Sequence, residues 1–130
     1  RYGATPVADY LALSKHDPLV IAQIEHKDAV KNLDAILAVP GLDSICVGPY
    51  DLSGSLGKLT HVNDPDVTAV IDEICAKTLK TPLMLGAFGT PYPLWKKRGV
   101  HWITLTSDSE TLYAGYRRLI RDGGDSRPVR

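Results

Sequence analysis

The sequence predicts an α/β fold in which parallel strands are joined by covering helices. Short β-branched runs alternate with amphipathic stretches four times along 130 residues. Strands that alternate with helices pair in parallel through right-handed crossovers, which places the helices over the sheet. Four units are about half of the eight, over roughly 250 residues, that close a (β/α)₈ barrel. A half barrel leaves two raw sheet edges and an uncovered inner face. The other architecture these units allow is a small open doubly wound sheet, although no glycine-rich phosphate loop follows the first strand.

Leu19–Ile24 is the first expected strand, and Ala29, Val30, Leu33, Ile36 and Leu37 then recur at helical spacing. Ser44–Val47 is the second strand, followed by a loop rich in glycine, proline and serine. A helix carrying Val67, Val70, Ile71, Ile74 and Cys75 comes next, with Asp64 as its cap and Pro65 in the first turn, where a missing N–H is harmless. Pro82–Leu85 reads as the third strand, before a weaker helix through Leu94, Trp95 and Lys96 that stops at Arg98-Gly99. The fourth strand is Trp102–Thr106. Ser107-Asp-Ser-Glu110 then resembles a capping box, opening a helix with Leu112, Tyr113, Tyr116, Leu119 and Ile120 on one face. Asp122-Gly-Gly-Asp-Ser ends it. Residues 1–120 are therefore expected to form one unit and residues 121–130 a charged tail.

Composition excludes several classes of partner. Fifteen basic residues balance fifteen acidic ones, so no broad positive field exists for nucleic acid or anionic lipid. No uninterrupted apolar run, that near Leu19 to Ala22 included, approaches the roughly 20 residues that span a bilayer. Cys46 and Cys75 have no metal-type spacing, and with 44% hydrophobic residues a core needs no disulfide staple. A reducing, cytoplasmic setting is expected. No signal peptide is read at the amino terminus, and a chain starting at Arg1 is expected to be an excised or processed piece.

Two carboxylates carry the candidate chemistry. Glu25 follows the first strand directly, and Asp51, 26 residues later, lies just past the second in Val47-Gly-Pro-Tyr-Asp-Leu-Ser53. Parallel neighbours end on the same side, where α/β enzymes keep their active sites. Close carboxylates repel unless a proton or cation lies between them, and an ion of the Mg²⁺ type takes one or two carboxylates plus water and substrate oxygens. The bland readings are a first-turn helix acid for Glu25 and a turn cap for Asp51. Gly48 permits close backbone approach and Pro49 fixes the turn, so the N–H groups of Tyr50 and Asp51 could face an anion beside the metal. Cys46 reads as a core residue, Ser53 and Ser55 as loop polar groups, Trp95 and Trp102 as packing between helix and sheet, and Lys96-Lys97-Arg98 as a solvated helix end. His16, His26, His61 and His101 read as loop or strand-edge residues rather than a catalytic base.

Gln23-Ile-Glu25, followed by Val47-Gly-Pro-Tyr-Asp-Leu-Ser53 and Ser55-Leu-Gly57, resembles the HpcH/HpaI aldolase and citrate lyase family, from about Leu19 to Arg118. That resemblance implies the carboxyl-terminal half of a (β/α)₈ barrel in which Glu25 and Asp51 bind Mg²⁺, Mn²⁺ or Co²⁺. The metal would chelate the carboxylate and oxo group of pyruvate, with Gln23 beside it. The loop from Gly48 through Pro49 and Tyr50 to Asp51 would meet the substrate carboxylate. Many members carry serine where Tyr50 stands, which changes the pocket shape but not the backbone contact. The implied activity is a class II aldolase, which cleaves a 4-hydroxy-2-oxo acid to pyruvate and an aldehyde through an enolate. The alternatives are an acyl-CoA lyase like the citrate lyase β-subunit, or a non-catalytic half barrel that binds a partner. The family's histidine base and arginine come from the barrel's first half, so no catalytic residue maps here. The 130 residues alone are expected to be inactive. Pairing with an amino-terminal half, or a homo-oligomer, is expected.

Overall fold

The structure, a computed structural model, describes residues 5–15, 18–89 and 91–123. Four strands, β1 (Ile21–Ile24), β2 (Ser44–Val47), β3 (Met84–Phe88) and β4 (Trp102–Thr104), form one parallel sheet in chain order. Ile24 stands beside Val47, and Val47 beside Ala87. Helices α2 (Lys27–Lys31), α3 (Leu33–Leu37), α4 (Pro49–Ser55), α5 (Pro65–Thr78) and α6 (Tyr92–Lys97) make the crossovers. Side chains alternate along each strand, so one face of the sheet gathers Ile24, Ile45, Val47, Leu85 and Ala87. They pack on Leu33, Leu52, Val67, Ile71, Ile74 and Trp95 in a single buried cluster. Each such aliphatic side chain is worth about 1.5–3 kcal/mol when taken from water. No helix among the described residues is long and apolar enough to cross a membrane.

The expected elements are present, with shifted boundaries that have local causes. β3 covers Met84–Phe88 rather than Pro82–Leu85. Pro82 has no N–H to give, and the Leu83 N–H is taken by Thr81 Oγ1, so the ladder starts at Met84 opposite Ser44. The amphipathic run after β1 is two helices because Asn32 leaves the helical region, at φ −97° and ψ 11°, and its side chain donates to the Asp28 carbonyl. Asp64 caps α5 by accepting from the Asp66 N–H. The Ser107 and Glu110 capping box opens α7 (Asp108–Asp122), which carries two residues of the expected tail as helix. Residues 124–130 lie outside the described residues.

Two helices had no counterpart in the sequence reading. One is α1 (Val7–Ser14), and the other is α4, in the stretch expected to be loop. Glycine and serine argue against a helix at 48–55, yet Pro49 presets its first turn and Gly48 accepts from the Leu52 N–H.

Among the described residues the opposite face of the sheet is bare toward its ends, and it is not the Ile, Val and Leu surface that a barrel lining suggests. Most of those residues face the helices. This face carries the buried Ser44 and Cys46 at its centre with Gly86 and Trp102, while Ile21, Met84 and Phe88 are each about two-fifths exposed. Trp102 does not pack between helix and sheet. Its indole lies across Gly86 on β3 and donates to Ser44 Oγ on β2 at 2.9 Å, while that hydroxyl donates to the Met84 carbonyl. A methyl group on Gly86 would overlap the indole ring. Gly86→Ala should therefore lower stability by about 1–3 kcal/mol, the usual cost of overpacking. Gly115→Ala, where nothing lies within 4 Å on α7, should be neutral or stabilising. Equal thermal unfolding of the two variants would contradict this packing.

Candidate functional site

Because β1 and β2 run in parallel with Ile24 opposite Val47, the residues that follow them, Glu25 and Gly48, leave the sheet side by side. The ladder is extended by one bond, Gly48 N–H to the Ile24 carbonyl at 3.1 Å. Gly48 is buried between two side chains of the neighbouring strand end. A Cβ there would stand 2.6 Å from Gln23 Nε2 and 2.9 Å from the Glu25 Cβ. Only glycine allows this approach. Gln23 Nε2 donates to Glu25 Oε2 at 2.7 Å, so one carboxylate oxygen is held and the side chain is oriented.

Beyond Gly48 the chain turns directly into α4. Pro49 is buried at its first position, Tyr50 is 58% exposed, and Asp51 is exposed in the first turn. The N–H groups of Tyr50 and Asp51 are first-turn donors, for which a helix has no internal acceptor. Neither bland reading of the carboxylates describes what they do. Glu25 precedes α2, whose cap is His26, and Asp51 caps nothing because Gly48 holds the cap position of α4. Beside Tyr50, a recess of roughly 380 Å³ opens at the carboxyl ends of β3 and β4, walled by Phe88, Thr104, Leu105, Thr106 and Glu110.

The donor set fits a hard divalent cation. Glu25 and Asp51 offer carboxylate oxygens, and the described residues contain no cluster of three or more metal-ligating side chains. Water and substrate oxygens would complete the shell, as Mg²⁺ prefers. Soft ligation is disfavoured because burial, and then the charge of Glu25, pushes the Cys46 thiol up to about 11.

The described histidines are occupied elsewhere or stand apart. His26 Nδ1 accepts from the Asp28 N–H, His101 Nδ1 accepts from the Leu85 N–H at 2.8 Å, and His61 is exposed. His16 lies outside the described residues. Arg98 is not the solvated end its neighbours Lys96 and Lys97 suggest. Its guanidinium stacks on Trp95 and bonds Asp72 at 2.6 Å.

The two loop serines belong to α4. Ser53 is buried and donates to the Tyr50 carbonyl, whereas Ser55 accepts from the Lys27 N–H at 3.0 Å. The sequence offered no signal for that second bond, which joins residues 28 apart.

Residues 10–89 match the profile of the HpcH/HpaI aldolase/citrate lyase family. A stretch of 68 residues is 46% identical to 5-keto-4-deoxy-D-glucarate aldolase of Escherichia coli K12, covering 52% of this chain and 27% of that protein. Among solved structures, an HpcH/HpaI aldolase from Desulfitobacterium hafniense DCB-2 superposes with a TM-score of 0.76 at 22% identity, over 99% of this chain and 51% of its own. An HpcH/HpaI aldolase/citrate lyase family protein from Burkholderia cenocepacia J2315 gives 0.77 at 29% identity, over 88% and 46%. Citrate synthase SbnG gives 0.75 at 27%, over 91% and 49%. The chain thus spans about half the length of the solved structures it matches, and its parallel sheet is half of their barrel architecture.

Proposed function

Because the chain belongs to the HpcH/HpaI aldolase/citrate lyase family, we propose that it carries the metal-binding half of a carbon–carbon lyase site that cleaves a 4-hydroxy-2-oxo acid to pyruvate and an aldehyde. The observation that carries this reading is the closeness of Gly48 to Gln23 and Glu25 at the strand ends, which sets a carboxylate against the loop leading to Asp51. Glu25 and Asp51 would hold Mg²⁺, Mn²⁺ or Co²⁺. When bound, such a cation supplies Lewis acidity toward the charge that develops on the 2-oxo oxygen. Gln23 keeps Glu25 oriented, and the Tyr50 and Asp51 N–H groups donate to the substrate carboxylate, fixing pyruvate by backbone contacts that no side-chain change removes. The recess beside Tyr50 receives the part that departs as aldehyde, and Tyr50 limits its width.

Other polypeptide covers the bare face in the working enzyme. Among the described residues strands β1 and β4 are open edges, Ile21, Met84 and Phe88 are partly uncovered, and the helices before β1 and after β4 in the chain expose Leu11 and Leu13 on α1 and Tyr116 and Leu119 on α7. An amino-terminal half or a second copy would close both edges.

Titration of pyruvate into the protein with and without Mg²⁺ tests the reading. Amide signals of Tyr50 and Asp51 should shift with pyruvate only when Mg²⁺ is present. Shifts without metal, or none with it, would contradict the proposal.

A further inference from the structure

We propose that Ser55 is a positioning residue whose hydroxyl latches the loop carrying Glu25 to the helix carrying Asp51, and thereby sets the separation of the two carboxylates. This rests on the reading of those carboxylates as one metal site. Glu25 lies two residues before Lys27, the first residue of α2. The opening N–H groups of a helix have no partner within it. Here the Asp28 N–H is taken by the His26 ring, and the Lys27 N–H is taken by Ser55 Oγ from the far end of α4 at 3.0 Å. The Ser55 proton goes to the Leu52 carbonyl at 2.8 Å, which fixes the rotor and turns an oxygen lone pair toward Lys27.

Asp51 and Ser55 are four residues apart on α4 and so share a face of that helix. The two loops are therefore tied twice, by the last ladder bond from Gly48 to Ile24 and by Ser55 to Lys27. Leu52 anchors the middle of α4 in the core, and the second tie fixes its last turn against the start of α2, which holds Asp51 at a set distance from Glu25. The Ser53 hydroxyl, two residues earlier, bonds only within α4 and does not cross between the loops.

The backbone allows the latch to be opened from either side. Ser55→Ala removes the acceptor. Lys27→Pro removes the donor at a first helical position, where proline is tolerated, and the preceding His26 is extended at φ −136° and ψ 141°, as a residue before proline must be. The test is the affinity for Mn²⁺, read from the electron paramagnetic resonance signal of the free ion, with thermal unfolding of the metal-free protein alongside.

Ser55→Ala and Lys27→Pro should each weaken Mn²⁺ binding about tenfold, the size expected when a group supporting a metal ligand is lost. Their combination should lose little more, Ser55→Thr should recover most of the affinity, and metal-free unfolding should move little. Wild-type affinity in Ser55→Ala, or additive losses in the double variant, would overturn the proposal. If the wild-type protein takes up no Mn²⁺, the metal reading fails, and hydrogen exchange at the Lys27 amide judges the latch. Faster exchange in Ser55→Ala would support it, and an unchanged rate would overturn it.

Discussion

Glu25→Gln and Asp51→Asn should each reduce divalent-cation affinity on the order of a hundredfold or more while leaving the fold intact. In the proposed site Glu25 and Asp51 are the two carboxylate donors, and the described residues hold no group of three or more metal-ligating side chains, so either loss removes half of the fixed anionic charge offered to the cation. A neutral amide binds Mg²⁺ or Mn²⁺ poorly. Folding should not suffer, because Glu25 and Asp51 are partly or fully exposed and neither holds a helix cap. The Gln23 amide can still donate to a glutamine carbonyl at position 25, which keeps that side chain in place. Equal Mn²⁺ affinity in wild type and either variant, measured by titration, would contradict the assignment.

The second large effect concerns turnover. The 130 residues alone should release no appreciable pyruvate from a 4-hydroxy-2-oxo acid, and joining them to a first half barrel from the same family should produce cleavage. Aldol cleavage needs a base for the 4-hydroxyl proton, within hydrogen-bond reach of it. None of the described histidines is assigned this role: His26 and His101 accept from backbone N–H groups, and His61 is exposed in the stretch between α4 and α5. The uncovered face points the same way, because Ile21, Met84 and Phe88 lie on the face that in a closed barrel meets side chains from the opposite strands. Turnover of roughly 1 per second or more by the 130 residues alone would refute this. A compact 14.2 kDa monomer with cooperative unfolding would instead overturn the expectation that other polypeptide covers the open face.

What could be read from the sequence was whatever short-range chemistry determines. β2 has the expected bounds because four consecutive residues are buried and no proline or glycine interrupts them. Asp64-Pro65 and Ser107 to Glu110 are helix starts whose partners lie within three residues, and both behave as their spacing predicts. The placement of Glu25 and Gly48 at neighbouring strand ends follows from parallel pairing alone. The failures arise where distant partners decide. Helix α4 forms in a glycine- and serine-rich stretch because Leu52 has the core to enter. Trp102 faces the bare side because Gly86, on the adjacent strand, leaves room for it. Ser55 looked like a loop hydroxyl because its acceptor role depends on Lys27, 28 residues away.

The most direct test of the metal site is to add substoichiometric Mn²⁺ to isotopically labelled protein and follow paramagnetic broadening of the amide signals. Broadening should appear first at Glu25, Gly48 and Asp51, and should spare Thr78 at the far end of α5. Broadening centred elsewhere, or spread evenly over the chain, would contradict a metal site built from Glu25 and Asp51.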